Sequence, residues 1–275
     1  MTLNPAQFPP PREIIGGGKI CKEVREYLAY MNFFLTNRVR YGKEVVYFSV
    51  LGASNYAYIM EWTFRDDGAI LVRAGSTGPK LGGGDDKEGH MHDFTWRLDI
   101  DLNGARHNSA YLTRHVENLT PPFPPPAAGS TAEDSRELIE IEGSRVWNPQ
   151  NFNTLVIQDR TLLNGTGRHT SYELVPMRSG TARHSEFFLK RDFWVTRYDP
   201  AELLADYLPT YVRDGQSTDD EDLVIWYTGS EHHETDSRDE DFNTVPILWT
   251  GFGLIPNNLF NKTPFYPGPT PRPRR

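Results

Sequence analysis

A predicted β-hairpin constrains the fold of this chain more than any other feature of its sequence. Residues 56–64 read YAYIMEWTF, and residues 69–73 read AILVR. Between these two runs stands Asp67-Gly68, a dipeptide that favours a tight turn between antiparallel strands. The side chains of a strand point alternately to its two faces, and the mixture of aromatic and β-branched residues fits a pleated sheet. The sequence therefore predicts two paired strands here.

The same strand pattern recurs along most of the chain of 275 residues. Tyr and Phe are abundant, and frequent Gly and Pro supply turns. Further strands are predicted at 44–50, 90–102, 154–159, 171–176, 186–197 and 222–228. In the run 90–102, the residues Phe94, Trp96, Leu98 and Ile100 fall on one face. We expect an all-β fold, a large antiparallel sandwich without internal repeats.

The secondary structure of one segment is undecided from the sequence, and a second segment favours a helix. Residues 22–40 fit a helix and strands equally well, and residues 201–207 fit a short helix. We assign 1–20 to a loose Pro- and Gly-rich N-terminus, 21–267 to one domain, and 268–275 to a basic Pro-rich tail. The Pro-rich residues 120–129 predict an extended surface excursion inside that domain.

Composition excludes several functional classes. The formal net charge of −8 argues against nucleic acid as a partner. No stretch is long and apolar enough to predict a membrane span. Cys21 is the single cysteine, so an intrachain disulfide cannot form. The first residues contain no apolar signal core, and we expect a cytoplasmic or peroxisomal location rather than secretion.

Three histidines suggest a metal site. His90 and His92 are two residues apart on a predicted strand, so their imidazoles share one face. A third imidazole from a distant strand, such as His233, would complete a copper site of three nitrogens. Taken alone, such a pair is more often exposed polar side chains than a metal site. We interpret His107, His115, His169 and His184 as exposed or hydrogen-bonded residues.

Four blocks, read in order, resemble the catalytic domain of copper-containing amine oxidases, the topaquinone enzymes. The first spans residues 55–64 and 74–78, the second 90–94, 97–101 and 104, the third 172–176 and 193–200, and the fourth 222–228 with 232–233. The resemblance runs from about residue 21 to residue 267. It implies the sandwich of that family, here the C-terminal part of the catalytic domain and incomplete at its N-terminal side.

The resemblance implies roles for the residues in these blocks. Tyr56, preceded by Asn55 of the cofactor motif, would be the tyrosine converted to topaquinone. His90, His92 and His233 would bind Cu(II), with His233 preferred to His232 because of its distance from Asp222. The carboxylates of Asp99, Asp101 and Asp222, with the carbonyl groups of Ile100 and Leu223, resemble the family's peripheral calcium site, for which hard oxygen ligands are suited.

The implied reaction converts a small primary amine, O2 and water to an aldehyde, ammonia and hydrogen peroxide. The family habit also implies a homodimer. Two alternatives stay open: a copper-binding homologue without oxidase activity that serves binding or assembly, and copper chemistry without the quinone.

This chain departs from the family pattern in two respects. Gly52 stands where the motif has Thr, and Ala57 follows the cofactor tyrosine where the motif has Asp or Glu. The family's catalytic aspartate lies well upstream of the cofactor tyrosine, so no residue here can be assigned as the general base. Asp66 and Asp67, in the predicted hairpin turn, are poor substitutes for it.

Overall fold

The structure is a computed structural model that describes residues 20–32, 38–53, 55–78, 89–118, 131–177, 182–234, 245–262 and 264–265. Residues 1–19 of the predicted loose segment 1–20, the Pro-rich segment 120–129 and the predicted tail 268–275 lie outside the described residues. Within these ranges the chain is dominated by antiparallel strands, as the sequence predicts.

Ten of the described strands form the larger of two sheets. Nine of them follow the spatial order β1-β2-β3-β4-β14-β10-β9-β6-β12, and β7 also pairs with β6. Their bounds are β1 Cys21–Asn32, β2 Arg38–Ala53, β3 Tyr56–Arg65, β4 Ile70–Thr77, β6 Asn108–Asn118, β7 Thr131–Leu138, β9 Leu155–Leu163, β10 His169–Met177, β12 Asp219–Glu221 and β14 Leu248–Asn257.

The smaller sheet holds four described strands in the order β5-β13-β11-β8. Their bounds are β5 His90–Asp99, β8 Gly143–Arg145, β11 Phe193–Arg197 and β13 Leu223–His233. Every residue of β13 from 223 to 229 is buried, because both faces of this strand are covered. One face meets the main core, and the other packs beneath the turns that precede and follow β11.

The main core lies between the two sheets. Trp96 and Leu98 enter it from β5, as their alternation predicts, while Phe94 and Ile100 pack against it partly buried. Across from them lie apolar residues of the larger sheet, including Val72, Ala74, Leu174 and Phe252. Full burial of one such large side chain contributes about 1.5–3 kcal/mol, so this interface holds the two sheets together.

The predicted hairpin is confirmed. Strands β3 and β4 pair in antiparallel register, and Gly68 between them has a φ of 84°, a conformation that favours glycine. In the ambiguous segment 22–40, the described residues form strand β1 and the start of β2 rather than a helix.

Two predicted elements, a strand at 186–197 and a helix at 201–207, begin later in the structure than the sequence predicts. In 186–197, residues Phe187–Lys190 form a 3₁₀ turn before β11, because consecutive apolar residues here do not alternate and Leu189 turns into the interior. The helical segment predicted at 201–207 begins later, with a 3₁₀ turn at Ala205–Tyr207 and an α-helix at Leu208–Tyr211. Pro209 fits only the first turn of that helix, which fixes its start.

The larger sheet extends past the smaller one at its β1 edge. Leu51 and Tyr47 of β2 pair with Tyr58 and Trp62 of β3 and therefore face the same side of the sheet. Both β2 residues are exposed, as are Val24, Leu28 and Tyr41 on the neighbouring part of this face. Among the described residues, no helix has the length and apolar character needed to cross a membrane.

Candidate metal centre

Strand register brings the three predicted metal-binding histidines together. His90 and His92 begin β5, and His233 ends β13. In the antiparallel ladder between these strands, His233 pairs with His90, and Glu231 pairs with His92. Side chains two residues apart share a face, so all three imidazoles point to the interior of the sandwich.

The three imidazoles form a compact group. One nitrogen from each of His90, His92 and His233 lies within 4.8 Å of the others. His92 and His233 are buried, with 9% and 5% of their surface exposed, and His90 is half-buried. Two strands that are far apart in the sequence thus provide three nitrogen donors at one point.

Tyr56 enters this group from the opposite sheet. Its hydroxyl oxygen lies 2.9 Å from Nε2 of His90 and 3.0 Å from Nδ1 of His233. Its ring centroid is 4.8 Å from that of His92. The tyrosine predicted to be the cofactor precursor is therefore in hydrogen-bonding contact with two predicted metal ligands.

The protonation state of His92 suits a metal ligand. Burial, followed by the proximity of His90 and His233, lowers the pKa of His92 to about 4. This imidazole is therefore neutral at physiological pH, the form in which histidine coordinates metals. Its Nε2 is buried and has no hydrogen-bond partner among the described residues. Imidazole nitrogens suit Cu(II), as they suit zinc, iron and nickel.

His232 lies outside the group. It neighbours His233 on β13, but alternation turns its side chain to the opposite face, where it is exposed. The structure therefore groups His233 and not His232 with the other two imidazoles.

Comparison with known proteins is consistent with this geometry. The family model described as "Copper amine oxidase, enzyme domain" matches residues 87–273, which is more than half of the chain. The chain belongs to the copper amine oxidase family. The match includes all three clustered histidines.

The curated relatives that match this chain carry the names of amine oxidases. The chain is 25% identical over 271 residues to a primary amine oxidase of Klebsiella aerogenes, with 81% of this chain and 35% of the relative covered. It is 28% identical over 272 residues to a primary amine oxidase of Arthrobacter sp. (strain P1), with 86% of this chain and 41% of the relative covered. The chain thus spans roughly a third to two fifths of the length of these relatives.

A solved structure shows the same fold. The copper-containing benzylamine oxidase from Hansenula polymorpha matches with a TM-score of 0.74 and 19% identity, over 89% of this chain and 44% of that one. The antiparallel sandwich is therefore that of the copper amine oxidases, as the sequence predicts.

The backbone around Tyr56 is fixed by a close approach of two strand ends. Gly78 follows β4 with a φ of 146°, and a Cβ there would lie 2.2 Å from the carbonyl oxygen of Asn55. Only glycine fits this contact. Gly52 and Ala57, the two residues that differ from the family motif, are direct partners in the β2–β3 ladder.

Two polar side chains near the histidines were missed by the sequence analysis. The hydroxyl of Tyr58 is 3.5 Å from Nδ1 of His92, and Glu231 accepts a hydrogen bond from Ser76. Burial raises the pKa of Glu231 to about 7. Both residues stand two positions from a predicted site residue on the same strand face, and that spacing could have identified them.

The predicted calcium ligands also come together. The carboxylates of Asp99, Asp101 and Asp222 each offer an oxygen within 4.8 Å of the others. Burial, followed by the charge of Asp101, raises the pKa of both Asp99 and Asp222. Ile100 lies between the first two acids and Leu223 directly follows the third, as the resemblance requires.

The remaining histidines and hairpin acids make ordinary contacts. Each of these histidines has its Nδ1 atom within hydrogen-bonding distance of an acceptor. The pairs are His107 with Asp220, His115 with Asp134, His169 with the Asp159 carbonyl, and His184 with Asp93. Asp66 accepts hydrogen bonds from the Tyr27 hydroxyl and the Lys43 main-chain amide, and Asp67 accepts one from the Ala69 amide. These two acids lie at the far end of β3 from Tyr56.

Proposed function

We propose that this chain carries the redox centre of a copper-dependent primary amine oxidase. His90, His92 and His233 bind Cu(II), and Tyr56, within the motif that begins at Asn55, is the residue converted to topaquinone. The observation that carries the proposal is the contact of the Tyr56 hydroxyl with both His90 and His233, in a chain of this family. A small primary amine and O2 are the proposed substrates.

The protein groups prepare this chemistry before any metal binds. Burial keeps His92 neutral, so no proton competes for its ligand nitrogen at neutral pH. The close contact at Gly78 and the ladder with β2 hold Tyr56 at the histidines. When bound, copper and topaquinone supply the oxidation of the amine at the expense of O2. Bulk water has little access to the side of the site where His233 and Glu231 lie, because both residues are almost fully buried.

We also propose that Asp99, Asp101 and Asp222, with the carbonyls of Ile100 and Leu223, bind Ca2+. The support is the proximity of three carboxylates, which repel one another unless a cation is present. This site lies at the other end of β5 from the histidines and would stabilise the pairing of β5 with β13.

A homodimer and a peroxisomal or cytoplasmic location are further proposals. The exposed apolar residues Val24, Leu28, Tyr41 and Leu51 favour an additional protein contact at the β1 edge. Two plant relatives carry the word peroxisomal in their names, an amine oxidase of Arabidopsis thaliana and a diamine oxidase of Nicotiana tabacum. Sedimentation analysis would test the first proposal, and microscopy of the tagged protein the second.

Reaction with phenylhydrazine tests the proposed centre. The purified protein is loaded with Cu(II) in air, and phenylhydrazine is then added, which forms coloured adducts with quinone carbonyls. We expect a coloured adduct in the wild type and none in Tyr56→Phe. Copper bound at one ion per chain without any adduct would contradict the oxidase proposal and favour a metal-binding role.

A further inference from the structure

A cavity of about 500 Å3 adjoins the histidine group on the side of β5 that faces away from β13. Tyr58, His92 and Phe94 line it from the interior of the sandwich. Phe188 and Asp206 line it from the two turns that cover the smaller sheet. This volume falls within the range of about 300–1,000 Å3 found for small-molecule sites.

A buried carboxylate gives the cavity a negative lining. The side chain of Asp93 is only 3% exposed and lines the cavity. Its Oδ2 accepts a hydrogen bond of 2.9 Å from the main-chain amide of His184, and the ring of His184 lies 2.6 Å from the same oxygen. Its Oδ1 is buried and has no hydrogen-bond partner among the described residues. A buried, unsatisfied carboxylate oxygen favours a ligand that donates hydrogen bonds.

Two exposed acids extend the negative lining outward. Glu186 and Asp206 stand at the solvent side of the cavity, and neither Lys nor Arg is among the described residues that line it. Aromatic rings of Tyr58, Phe94 and Phe188 complete the wall. Carboxylates combined with aromatic faces attract an organic cation.

We propose that this cavity binds the protonated amine, as a primary ammonium ion with a compact aromatic or apolar body. The proposal rests on the proposed function for the identity of its ligand. A primary amine with a pKa near that of Lys, about 10.4, carries a positive charge at neutral pH. The ammonium group faces Asp93, Glu186 and Asp206, and the apolar body packs on Phe94 and Phe188.

The position of the cavity connects it to the redox centre. Tyr58 lines the cavity, and its ring centroid lies 6.1 Å from that of Tyr56. His92 lines it as well, and its ring contacts that of Tyr56. An ammonium ion held here is collected next to the proposed redox tyrosine, and Glu186 and Asp206 determine specificity for cations over neutral compounds.

Calorimetric titration of the metal-free protein with benzylammonium chloride tests the cavity without relying on turnover. Benzyl alcohol serves as the uncharged probe of the same shape. The double variant Glu186→Gln/Asp206→Asn removes two exposed charges at the cavity. The control Glu133→Gln/Glu140→Gln removes two exposed charges near β7, far from it, and therefore reports general electrostatic attraction.

We expect saturable binding of benzylammonium to the wild type and the control, about tenfold weaker binding to the cavity variant, and weaker binding still of benzyl alcohol. Equal affinity of the cavity variant and the wild type, or no saturable binding to the wild type, would overturn the proposal. Binding with this pattern but no phenylhydrazine adduct would support the cavity and contradict the oxidase function. A phenylhydrazine adduct without benzylammonium binding would support the oxidase function and contradict the proposal for the cavity.

Discussion

The hydroxyl oxygen of Tyr56 lies 2.9 Å from Nε2 of His90, although 34 residues separate the two in sequence and they belong to different sheets. The same oxygen is 3.0 Å from Nδ1 of His233. A phenol between two imidazole nitrogens can exchange a proton with either ring. The Tyr56 oxygen is thus placed beside two of the three proposed metal ligands.

Copper binding should distinguish His233 from His232. His233→Ala removes one of three clustered nitrogens, whereas His232→Ala removes an exposed ring on the opposite strand face. Loss of an outer contact to a metal ligand costs about 10–100-fold in affinity, so loss of the ligand His233 should cost more than about 100-fold. Metal analysis after dialysis against a competing chelator measures this, and full copper occupancy in His233→Ala would refute the assignment.

Calcium should stabilise the protein through the three clustered acids. At a concentration about 100 times the dissociation constant, a bound ion adds about 2.7 kcal/mol to the free energy of unfolding. For a chain of this size, that corresponds to an increase of about 5–10 °C in Tm. Asp101→Asn should abolish the increase, whereas Asp206→Asn, which removes an exposed acid elsewhere, should keep it. An identical calcium response in Asp101→Asn would rule out this site.

The stability of the protein should depend on pH through Glu142. Burial, with a smaller opposing effect of the hydrogen bond from the Arg197 amide, raises the pKa of Glu142 to about 7 from 4.5. The pKa of Glu142 is higher in the folded protein than in the unfolded chain. The contribution of neutral Glu142 to the free energy of unfolding is therefore complete below about pH 4.5 and is lost as the pH rises through about 7.

Glu142→Gln stays neutral at every pH and keeps the oxygen that accepts the Arg197 hydrogen bond. Its free energy of unfolding should therefore equal that of the wild type near pH 5 and exceed it by about 1–2 kcal/mol near pH 8.5. Urea unfolding at both pH values measures the difference. A constant difference between the two proteins across this range would show that Glu142 does not titrate abnormally.

Removal of one partner of the buried pair Arg183–Asp192 should lower the free energy of unfolding strongly. The pair lies at the turn that covers the smaller sheet. Both side chains are at most 4% exposed, and Arg183 also donates hydrogen bonds to the carbonyls of Leu189, Arg191 and Thr228. Asp192→Ala removes the carboxylate and should cost about 3–5 kcal/mol.

The exposed pair Arg145–Glu137 provides a matched control for that measurement. Glu137 is 61% exposed, so Glu137→Ala should cost less than about 1 kcal/mol. Chemical denaturation of both variants compares the two pairs. Equal losses of stability would mean that burial of the Arg183–Asp192 pair does not determine its contribution.

Local sequence pattern was sufficient to predict the all-β fold and the placement of two of the histidines on one strand face. The alternation in 56–64 and 90–102 fixes which residues face the core, and the Asp67-Gly68 turn fixes the register of β3 with β4. Because alternation also places His90 and His92 on one face, the histidine pair followed from the strand assignment alone. The third histidine, His233, required the resemblance to the family.

The environment of the site depends on contacts between distant segments and could not be read locally. Glu231 meets Ser76 only because β13 packs across from β4. The cavity depends on the turns at Phe187–Lys190 and Ala205–Tyr207, where the sequence predicted a strand and a longer helix instead. Both turns are set by packing against the outer face of β13, which no short sequence window reports.

Mass spectrometry of the peptide that contains Tyr56 shows whether this tyrosine is converted to topaquinone. The protein is incubated with Cu(II) in air, treated with phenylhydrazine and digested, and His90→Ala/His92→Ala serves as the variant without a metal site. We predict that Tyr56 of the wild type carries the quinone adduct and that Tyr56 of the variant stays unmodified. Wild-type protein that holds one copper per chain and still contains unmodified Tyr56 would refute the role of Tyr56 as the precursor of topaquinone.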